Sequence, residues 1–182
     1  HRISIGVGIL KNMFHITAVD LYGNAVCTDT FPIPYANTDA YYDQVAEKIQ
    51  AFLSGSNYTP EKILGISFAT QGITSSDNST VTYGKIMDNT GMRLEDFSSR
   101  LPCPCHLEHD SKSAAALELW NHPDLDSAVI FLLNRNLGGA VITNGRIHQG
   151  TSMHSGVIEH MCINPDGPLC YCGNRGCLET YC

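Results

Sequence analysis

A short cysteine-rich segment, GPLCYCGNRGCLE at residues 167–179, says more about the architecture than any other part of this sequence. It contains Cys170, Cys172 and Cys177, and His160 precedes the first of them. Three thiolates and one imidazole form a closed set of four ligands that is normal for structural zinc. Soft sulfur ligands favour zinc over calcium or magnesium. The segment therefore predicts a Cys3His zinc site with no ligand position left for water.

The neighbouring glycines and the other cysteines bear on this interpretation. Gly173 and Gly176 allow the tight turn that returns the last thiol toward the first two. Disulfides are the competing interpretation, although Cys170 and Cys172 are too close in sequence to bridge each other easily. Most of the eight cysteines fall near this segment, and that distribution favours a local metal site over a disulfide framework. Cys162 is the first candidate for a substitute ligand.

Composition and charge limit the classes of protein to consider. The chain has 182 residues, of which 43% are hydrophobic and 16% are charged, as expected for one packed domain or two small ones. Lys plus Arg number 11 and Asp plus Glu number 18, so the net charge is −7 and this chain alone is not expected to bind nucleic acid. No run approaches ~20 apolar residues, so no membrane span is expected.

One class of protein to consider is a secreted, glycosylated and disulfide-bonded binding module. Asn57-Tyr58-Thr59 and Asn78-Ser79-Thr80 match the N-glycosylation pattern, which is short and common by chance. No charged and then apolar signal peptide opens the chain. We therefore expect a cytoplasmic protein. A test for free thiols distinguishes it from a secreted protein with disulfides.

Hydrophobic patterning predicts an α/β arrangement in the first part of the chain. Thr38 is predicted to cap a helix that ends in the polar cluster 54–57. An Ala-rich helix is predicted at 112–120, with Trp120 in the core at its end. The other predicted elements are strands at 2–10, 14–21, 25–33, 62–69 and 105–108, a loop or hairpin at 74–82 and a short helix at 93–101.

A second unit is predicted to begin near residues 121–127, where Asn-His-Pro-Asp breaks the chain. An apolar strand at 128–133 follows it. Segments 140–143 and 146–149 flank Asn144-Gly145, which is a strong signal for a β-hairpin. The predicted division is therefore 1–121 and 122–182.

These motifs resemble, in kind and in order, those of the ROK family of repressors, open reading frames and sugar kinases. His160 followed by Cys-x-Cys-Gly-x-x-Gly-Cys-Leu-Glu at 170–179 is similar to the zinc signature of that family. LEHD at 107–110 falls where the family has a Glu-Asn-Asp segment, and GISFA at 65–69 resembles the strand before its substrate loop. LGGA at 137–140 resembles a hairpin of the second domain, so the resemblance covers most of the chain.

The resemblance implies the actin-like ATPase, ribonuclease H-like α/β fold, with a sugar bound between two domains. On that comparison the chain holds the N-terminal domain at 1–121 and the start of an apparently truncated second domain, with the zinc loop, at 122–182. It lacks the N-terminal helix-turn-helix that repressor members carry.

The resemblance also supplies candidate ligand-binding residues. Asp110 falls at the position of the general base that takes a proton from the sugar hydroxyl in kinase members. The other expected contacts to a sugar or sugar phosphate are Asn89, His109, His160 and Glu179. In a regulator, Asp110 is a relic of the kinase base that retains hydroxyl recognition.

The departures from the family pattern favour a regulator over a kinase. The first phosphate-binding loop, Asp-Ile-Gly-Gly-Thr in kinases, is matched to Ser4-Ile5-Gly6-Val7-Gly8, and the second, Gly-Thr-Gly, to Asn134-Arg135-Asn136. In the first segment the Asp and the Thr are absent and Val7 replaces a Gly, and in the second both glycines are replaced, so a phosphate is not expected to approach the backbone closely. Val157 stands where the family has a sugar-contacting Glu, and Glu159, two residues later, is not expected to serve that position.

The sequence as a whole predicts the sugar-sensing part of a ROK-type transcriptional regulator of carbohydrate genes. It is expected to be non-catalytic and to form a homo-oligomer, with zinc as a structural cofactor. DNA binding is expected to reside in a helix-turn-helix outside this chain. A divergent ATP-dependent sugar kinase of the same family is the alternative.

Overall fold

The computed structural model describes residues 2–55, 59–151 and 154–182. The predicted glycosylation position Asn57 lies outside these ranges. The chain forms two compact units, residues 1–108 and 109–182, which are described separately.

The first unit is built on one mixed sheet. Its strands are β1 (Ile3–Ile9), β2 (Phe14–Asp20), β3 (Ala25–Phe31), β4 (Ile63–Thr70) and β7 (Cys105–His109), arranged in the order β3-β2-β1-β4-β7. β1, β2 and β3 pair antiparallel as the predicted meander, whereas β1 and β4 run parallel. The parallel pair requires a crossover, which α1 (Asp39–Gly55) supplies.

Alternation along the strands places one face of this sheet in the core. In β1, for example, every second residue is buried, from Ile3 to Ile9. Helix α1 contributes Val45 and Ile49 to the same core, as its helical spacing predicts. Phe97, from the short helix α2 (Leu94–Ser98), is stacked on Phe68 with ring centroids 4.4 Å apart.

A helix cap and a small hairpin, both predicted from the sequence, complete this unit. Thr38 caps α1 as predicted, because its Oγ1 accepts the backbone N–H of Tyr41 at 3.3 Å. The predicted loop or hairpin at 74–82 is a small hairpin formed by β5 (Ile73–Thr74) and β6 (Val81–Tyr83).

The second unit packs one helix on a three-stranded antiparallel sheet. The strands β8 (Ala128–Leu133), β9 (Leu137–Thr143) and β10 (Arg146–Ile147) lie in the order β10-β9-β8. Helix α3 (Asp110–Asn121) packs against them, with Ala115 buried beside Ala140 and Ile142. The compact units therefore divide ahead of α3, whereas the sequence-based division at 121/122 places this helix in the first domain.

Two side-chain placements in this unit differ from a simple core pattern. Trp120, predicted to be core, is 62% exposed, because α3 buries the face that carries Ser111 and Trp120 lies on the opposite side of the helix. Val129, Phe131 and Leu133 alternate on the exposed face of β8. None of the described helices has both the length and the apolar character needed to cross a membrane.

Candidate metal centre and ligand site

The four predicted metal ligands come together in the second unit. The ligand atoms of His160, Cys170, Cys172 and Cys177 all lie within 4.8 Å of one another, and they are the one such group among the described residues. Nδ1 of His160 is 3.6 Å from Sγ of Cys170, and Sγ of Cys172 is 3.6 Å from Sγ of Cys177.

These separations fit a tetrahedral ion rather than a disulfide. Zinc–sulfur bonds of about 2.3 Å and zinc–nitrogen bonds of about 2.0 Å place tetrahedral ligand atoms roughly 3.5–3.8 Å apart. A disulfide would require an S–S distance of about 2.05 Å. All eight cysteines lie in the described ranges, and each carries a free thiol. Cys162 is exposed and is not a member of the group.

Two glycines bend the cysteine segment into the required loop. A turn brings the N–H of Gly173 to the carbonyl of Cys170 at 2.9 Å, and Gly173 has a φ of +97°. Gly176, with a φ of +64°, passes so close to Asn164 that a β-carbon there would lie 1.6 Å from the Asn164 carbonyl oxygen. Only a residue without a β-carbon fits this crossing, so Cys177 returns to Cys170 because position 176 is glycine.

A separate tight turn presents His160. Val157 has φ −74° and ψ +62°, and the N–H of Ile158 donates to the carbonyl of Gly156 at 2.7 Å, which is an inverse γ-turn. A 3-10 turn at Ile158–His160 follows it. Gly156 packs so tightly on β9 that an added β-carbon would come within 2.7 Å of Cα of Ala140. This packing fixes the backbone that carries His160.

The surroundings of His160 and Cys172 favour the protonation states that bind a metal, whereas those of Cys177 do not. Burial lowers the pKa of His160, although Glu179 opposes the shift, so the imidazole is neutral and its nitrogen is available. Burial works against ionisation of Cys172, but backbone and thiol hydrogen bonds outweigh it and lower its pKa. Burial and the neighbouring thiols raise the pKa of Cys177, so metal binding must displace its proton.

Asp110 and His109 lie together where β7 meets α3. Asp110 begins the helix, and its Oδ1 accepts the backbone N–H of Ser111 at 2.7 Å. Nε2 of His109 lies 3.5 Å from the same oxygen. A carboxylate is stabilised at a helix N-terminus by the helix dipole. Asp110 is therefore a carboxylate at the start of α3, and its role as a hydroxyl acceptor stays a prediction.

Glu179 has a specific set of partners in the turn between β8 and β9. Its Oε1 accepts Nδ2–H of Asn136 at 2.7 Å, and its Oε2 accepts the backbone N–H of Leu137 at 2.7 Å. Both carboxylate oxygens are therefore used within the protein. Its predicted role as a ligand contact stays a prediction.

Sequence analysis did not select Glu159, which the structure places in the same neighbourhood. Its side chain is only 7% exposed, and Oε2 has no hydrogen-bond partner among the described residues. Burial raises the pKa of Glu159 to about 7, with further contributions from the carboxylates of Asp110 and Glu179. The inverse γ-turn directs Glu159 inward, and Gly156 is the one sequence signal that the backbone there is not a regular strand.

Asn89 lies in the first unit and is fully buried. Its Nδ2 donates to Oγ1 of Thr70 at 3.1 Å and to the carbonyl of Gln71 at 2.8 Å, whereas Oδ1 has no partner in the described part of the chain. Gly84 makes room for it, since a β-carbon there would lie 1.9 Å from Oδ1. Asn89 is thus a fixed, buried side chain with an available acceptor.

The segment matched to the first phosphate loop lies within the strand predicted at 2–10. Residues 4–8 lie inside β1, whereas the turn that follows β1 is closed by the N–H of Leu10 donating to the carbonyl of Met13 at 2.9 Å. That turn, Leu-Lys-Asn-Met at 10–13, contains neither glycine nor aspartate. The second segment, Asn134-Arg135-Asn136, does form the turn between β8 and β9.

Comparison with known proteins identifies one family. The sequence model of the ROK family matches residues 2–182. The chain is 27% identical over 181 residues to the DNA-binding transcriptional dual regulator NagC of Escherichia coli, covering 97% of this chain and 44% of that protein. It is also 30% identical over 142 residues to an N-acetylmannosamine kinase of Vibrio cholerae, covering 77% and 47%.

Solved structures give the same fold. A ROK family glucokinase from Streptomyces griseus, in complex with glucose and AMPPNP, superposes with a TM-score of 0.85 at 22% identity. The match covers 98% of this chain and 56% of the glucokinase. The predicted actin-like α/β fold is confirmed, and the chain spans about half the length of the curated relatives that it matches.

Proposed function

Because the chain belongs to the ROK family, we propose that it forms the sugar-sensing part of a transcriptional regulator of carbohydrate genes. The observation that carries the proposal is that neither the turn after β1, at 10–13, nor the turn between β8 and β9, at 134–136, contains a glycine that could form a phosphate cradle. Binding and sensing can survive that loss, whereas phosphoryl transfer cannot.

The β1–β2 turn offers little to a nucleotide. A phosphate cradle requires several backbone N–H groups that point to one anion, and glycines allow that approach. In residues 10–13 the N–H of Leu10 is already used within the turn, and every position carries a side chain.

The β8–β9 turn is already occupied by a carboxylate. The N–H of Leu137 and the side-chain amide of Asn136 donate to Glu179, which takes the donors that an anion would need. Arg135 is exposed and remains a possible single charge contact, but one guanidinium does not replace a cradle.

The proposed effector is a sugar or a sugar phosphate. Asp110 supplies a hydroxyl acceptor at the start of α3, and Asn89, His109, His160 and Glu179 are the other proposed contacts. In this role Asp110 needs only to accept a hydrogen bond, so it functions without a phosphoryl donor.

The proposed metal is zinc, and its role is structural. His160 and the three cysteines occupy all four positions of a tetrahedral ion, which leaves no site for an activated water. When bound, zinc supplies a fixed link between the turn at 158–160 and the cysteine loop. His160, held by the metal, orients the backbone next to Glu159.

DNA binding by the proposed regulator resides in residues outside this chain. Effector binding changes the relative population of two conformations, and the DNA-binding part responds to that change. We propose a homo-oligomer located in the cytoplasm, where eight free thiols persist because the compartment is reducing.

A divergent sugar kinase is the second candidate. It is favoured by the position of Asp110 at the helix start, and by the 30% identity to a protein named as an N-acetylmannosamine kinase. Two measurements separate the functions: an ATP-dependent turnover assay with glucose, xylose, N-acetylglucosamine and N-acetylmannosamine, and calorimetric binding of the same sugars and of their phosphates.

The sensor hypothesis expects binding of at least one sugar or sugar phosphate and no ADP formation above that of the Asp110→Asn variant. Turnover that Asp110→Asn abolishes would establish the kinase instead. Failure of every sugar and sugar phosphate to bind, together with no turnover, would refute both.

A further inference from the structure

Glu159 is an anomaly in the second unit. The residue is 7% exposed, and its buried Oε2 lacks a hydrogen-bond partner among the described residues. Leaving a buried acceptor without a partner costs more than an average hydrogen bond contributes, and such groups are rare in native structures. A ligand that completes the bond is a common reason for retaining one.

The backbone holds Glu159 in this position. A β-carbon at Gly139 would come within 2.2 Å of Cγ1 of Ile158, so the residue before Glu159 sits directly on the glycine of β9. On the other side, the next residue, His160, belongs to the metal group. The residues on both sides of Glu159 are therefore each held by contacts with other parts of the unit.

The other two carboxylates of this region are differently engaged. Glu179 is bound through both oxygens to the β8–β9 turn, and Asp110 accepts the N–H of Ser111. Both lie close enough to Glu159 to act on it electrostatically. Glu159 is therefore the member whose buried oxygen remains open for a new bond.

Resting on the proposed function, we infer that Glu159 is a specificity-determining ligand contact, whose carboxylate accepts a hydrogen bond from a hydroxyl of the bound sugar. The sugar hydroxyl supplies the missing donor for Oε2. In the ligand-free protein the open acceptor destabilises the fold, and the bound sugar removes that cost.

If Glu159 binds the sugar, its replacement should leave the thermal stability of the ligand-free protein unchanged or higher and should lower the affinity for the sugar. Glu159→Met removes the buried acceptor while roughly conserving volume, so the ligand-free protein should melt at the same or a higher temperature. The affinity for whichever of the four sugars the wild type binds should fall roughly 10- to 100-fold. A purely structural carboxylate would instead lose stability and keep its affinity.

The experiment compares Glu159→Met, Glu159→Gln and Glu118→Met by calorimetry with glucose, xylose, N-acetylglucosamine and N-acetylmannosamine. Glu118 is a matched control, because it lies in the same unit with a side chain that is 45% exposed. Metal content and thermal melting are measured for each protein, and Glu118→Met should retain wild-type affinity.

The outcomes distinguish the inference from the function on which it rests. Wild-type binding with unchanged affinity in both Glu159 variants refutes the role of Glu159 and leaves the sensor proposal standing. Loss of folding or metal in both variants shows a structural role and also overturns the inference. No binding by the wild type overturns the sensor proposal, and the inference falls with it.

Discussion

Replacing Gly176 by alanine tests whether the crossing at Asn164 builds the metal centre. A β-carbon at position 176 would lie 1.6 Å from the carbonyl oxygen of Asn164, and ordinary contact begins at 3.4 Å. The two backbone segments must therefore separate by roughly 2 Å, and neither atom belongs to a flexible side chain. The segment cannot keep its present path.

The cost follows from the hydrogen bonds at the crossing. The N–H of Ile163 donates to the carbonyl of Gly176, and the N–H of Gly176 donates to the carbonyl of Pro168, both at 2.8 Å. Loss of each bond costs about 1 kcal/mol, and the left-handed backbone adds about 1–2 kcal/mol for alanine. We therefore expect Gly176→Ala to weaken zinc binding by about 3–4 kcal/mol, more than 100-fold.

Gly173→Ala is the matched control within the same loop. Gly173 also has a positive φ, of +97°, but an added β-carbon meets no atom within 4 Å. Only the backbone cost applies, so zinc affinity should fall by about 1–2 kcal/mol, roughly 5- to 30-fold. Competition with a chromophoric zinc chelator at fixed pH measures both values. Equal losses in the two variants would show that the crossing at Asn164 does not shape the site.

Three further measurements address the metal, the core and the first helix. Cys172→Ser should reduce bound zinc from about one ion per chain to near none by elemental analysis, whereas the exposed Cys27→Ser should keep it; equal zinc in both would contradict the ligand assignment. Phe97→Ala should lower the free energy of unfolding in urea by about 3–5 kcal/mol, because the ring is fully buried, whereas Trp120→Ala should change it by less than about 1 kcal/mol; a large effect of Trp120→Ala would contradict its exposed position. Thr38→Ala should cost about 1 kcal/mol in the same assay through loss of the helix cap, and no loss would show that backbone contacts alone start α1.

Local patterns in the sequence predict most of the fold. The alternation in β1, the cap at Thr38 and the Asn144-Gly145 turn each depend on residues close in sequence, and each is present in the structure. The four predicted metal ligands, selected by spacing, likewise come together in the structure. Such features need no knowledge of distant contacts.

Local sequence is insufficient where contacts with a distant element determine the position of a residue. Trp120 belongs to an apolar helix segment, but the sheet of the second unit buries the side of α3 that carries Ser111 and Ala115, and local sequence does not show which side is buried. Residues 4–8, which are matched to a loop motif of the family, lie within a strand because β1 pairs with β2 as far as Ile9. A match to a loop motif does not reveal where a strand ends.

In the candidate ligand site, some residues are identifiable from local sequence and others depend on distant contacts. Asp110 is identifiable because its motif precedes a helix. Glu159 is not, because its inward direction depends on an inverse γ-turn that Gly156 can form only against β9. Glu179 is selected by its motif as a ligand contact, which stays a prediction, and its hydrogen bonds to Asn136 and Leu137 depend on a turn that is remote in sequence.

The uneven sequence spacing of the metal ligands has a consequence for the order of assembly. Cys170, Cys172 and Cys177 lie within one short loop, and loops of about ten residues close in about 10–100 ns. His160 is in position only after Ile158 packs on β9, which requires the strand to exist first. During folding, zinc should therefore be captured by three thiolates early and gain its imidazole late. If these residues hold zinc as proposed, the change from sulfur-only to mixed ligation during folding would report the formation of the sheet of the second unit.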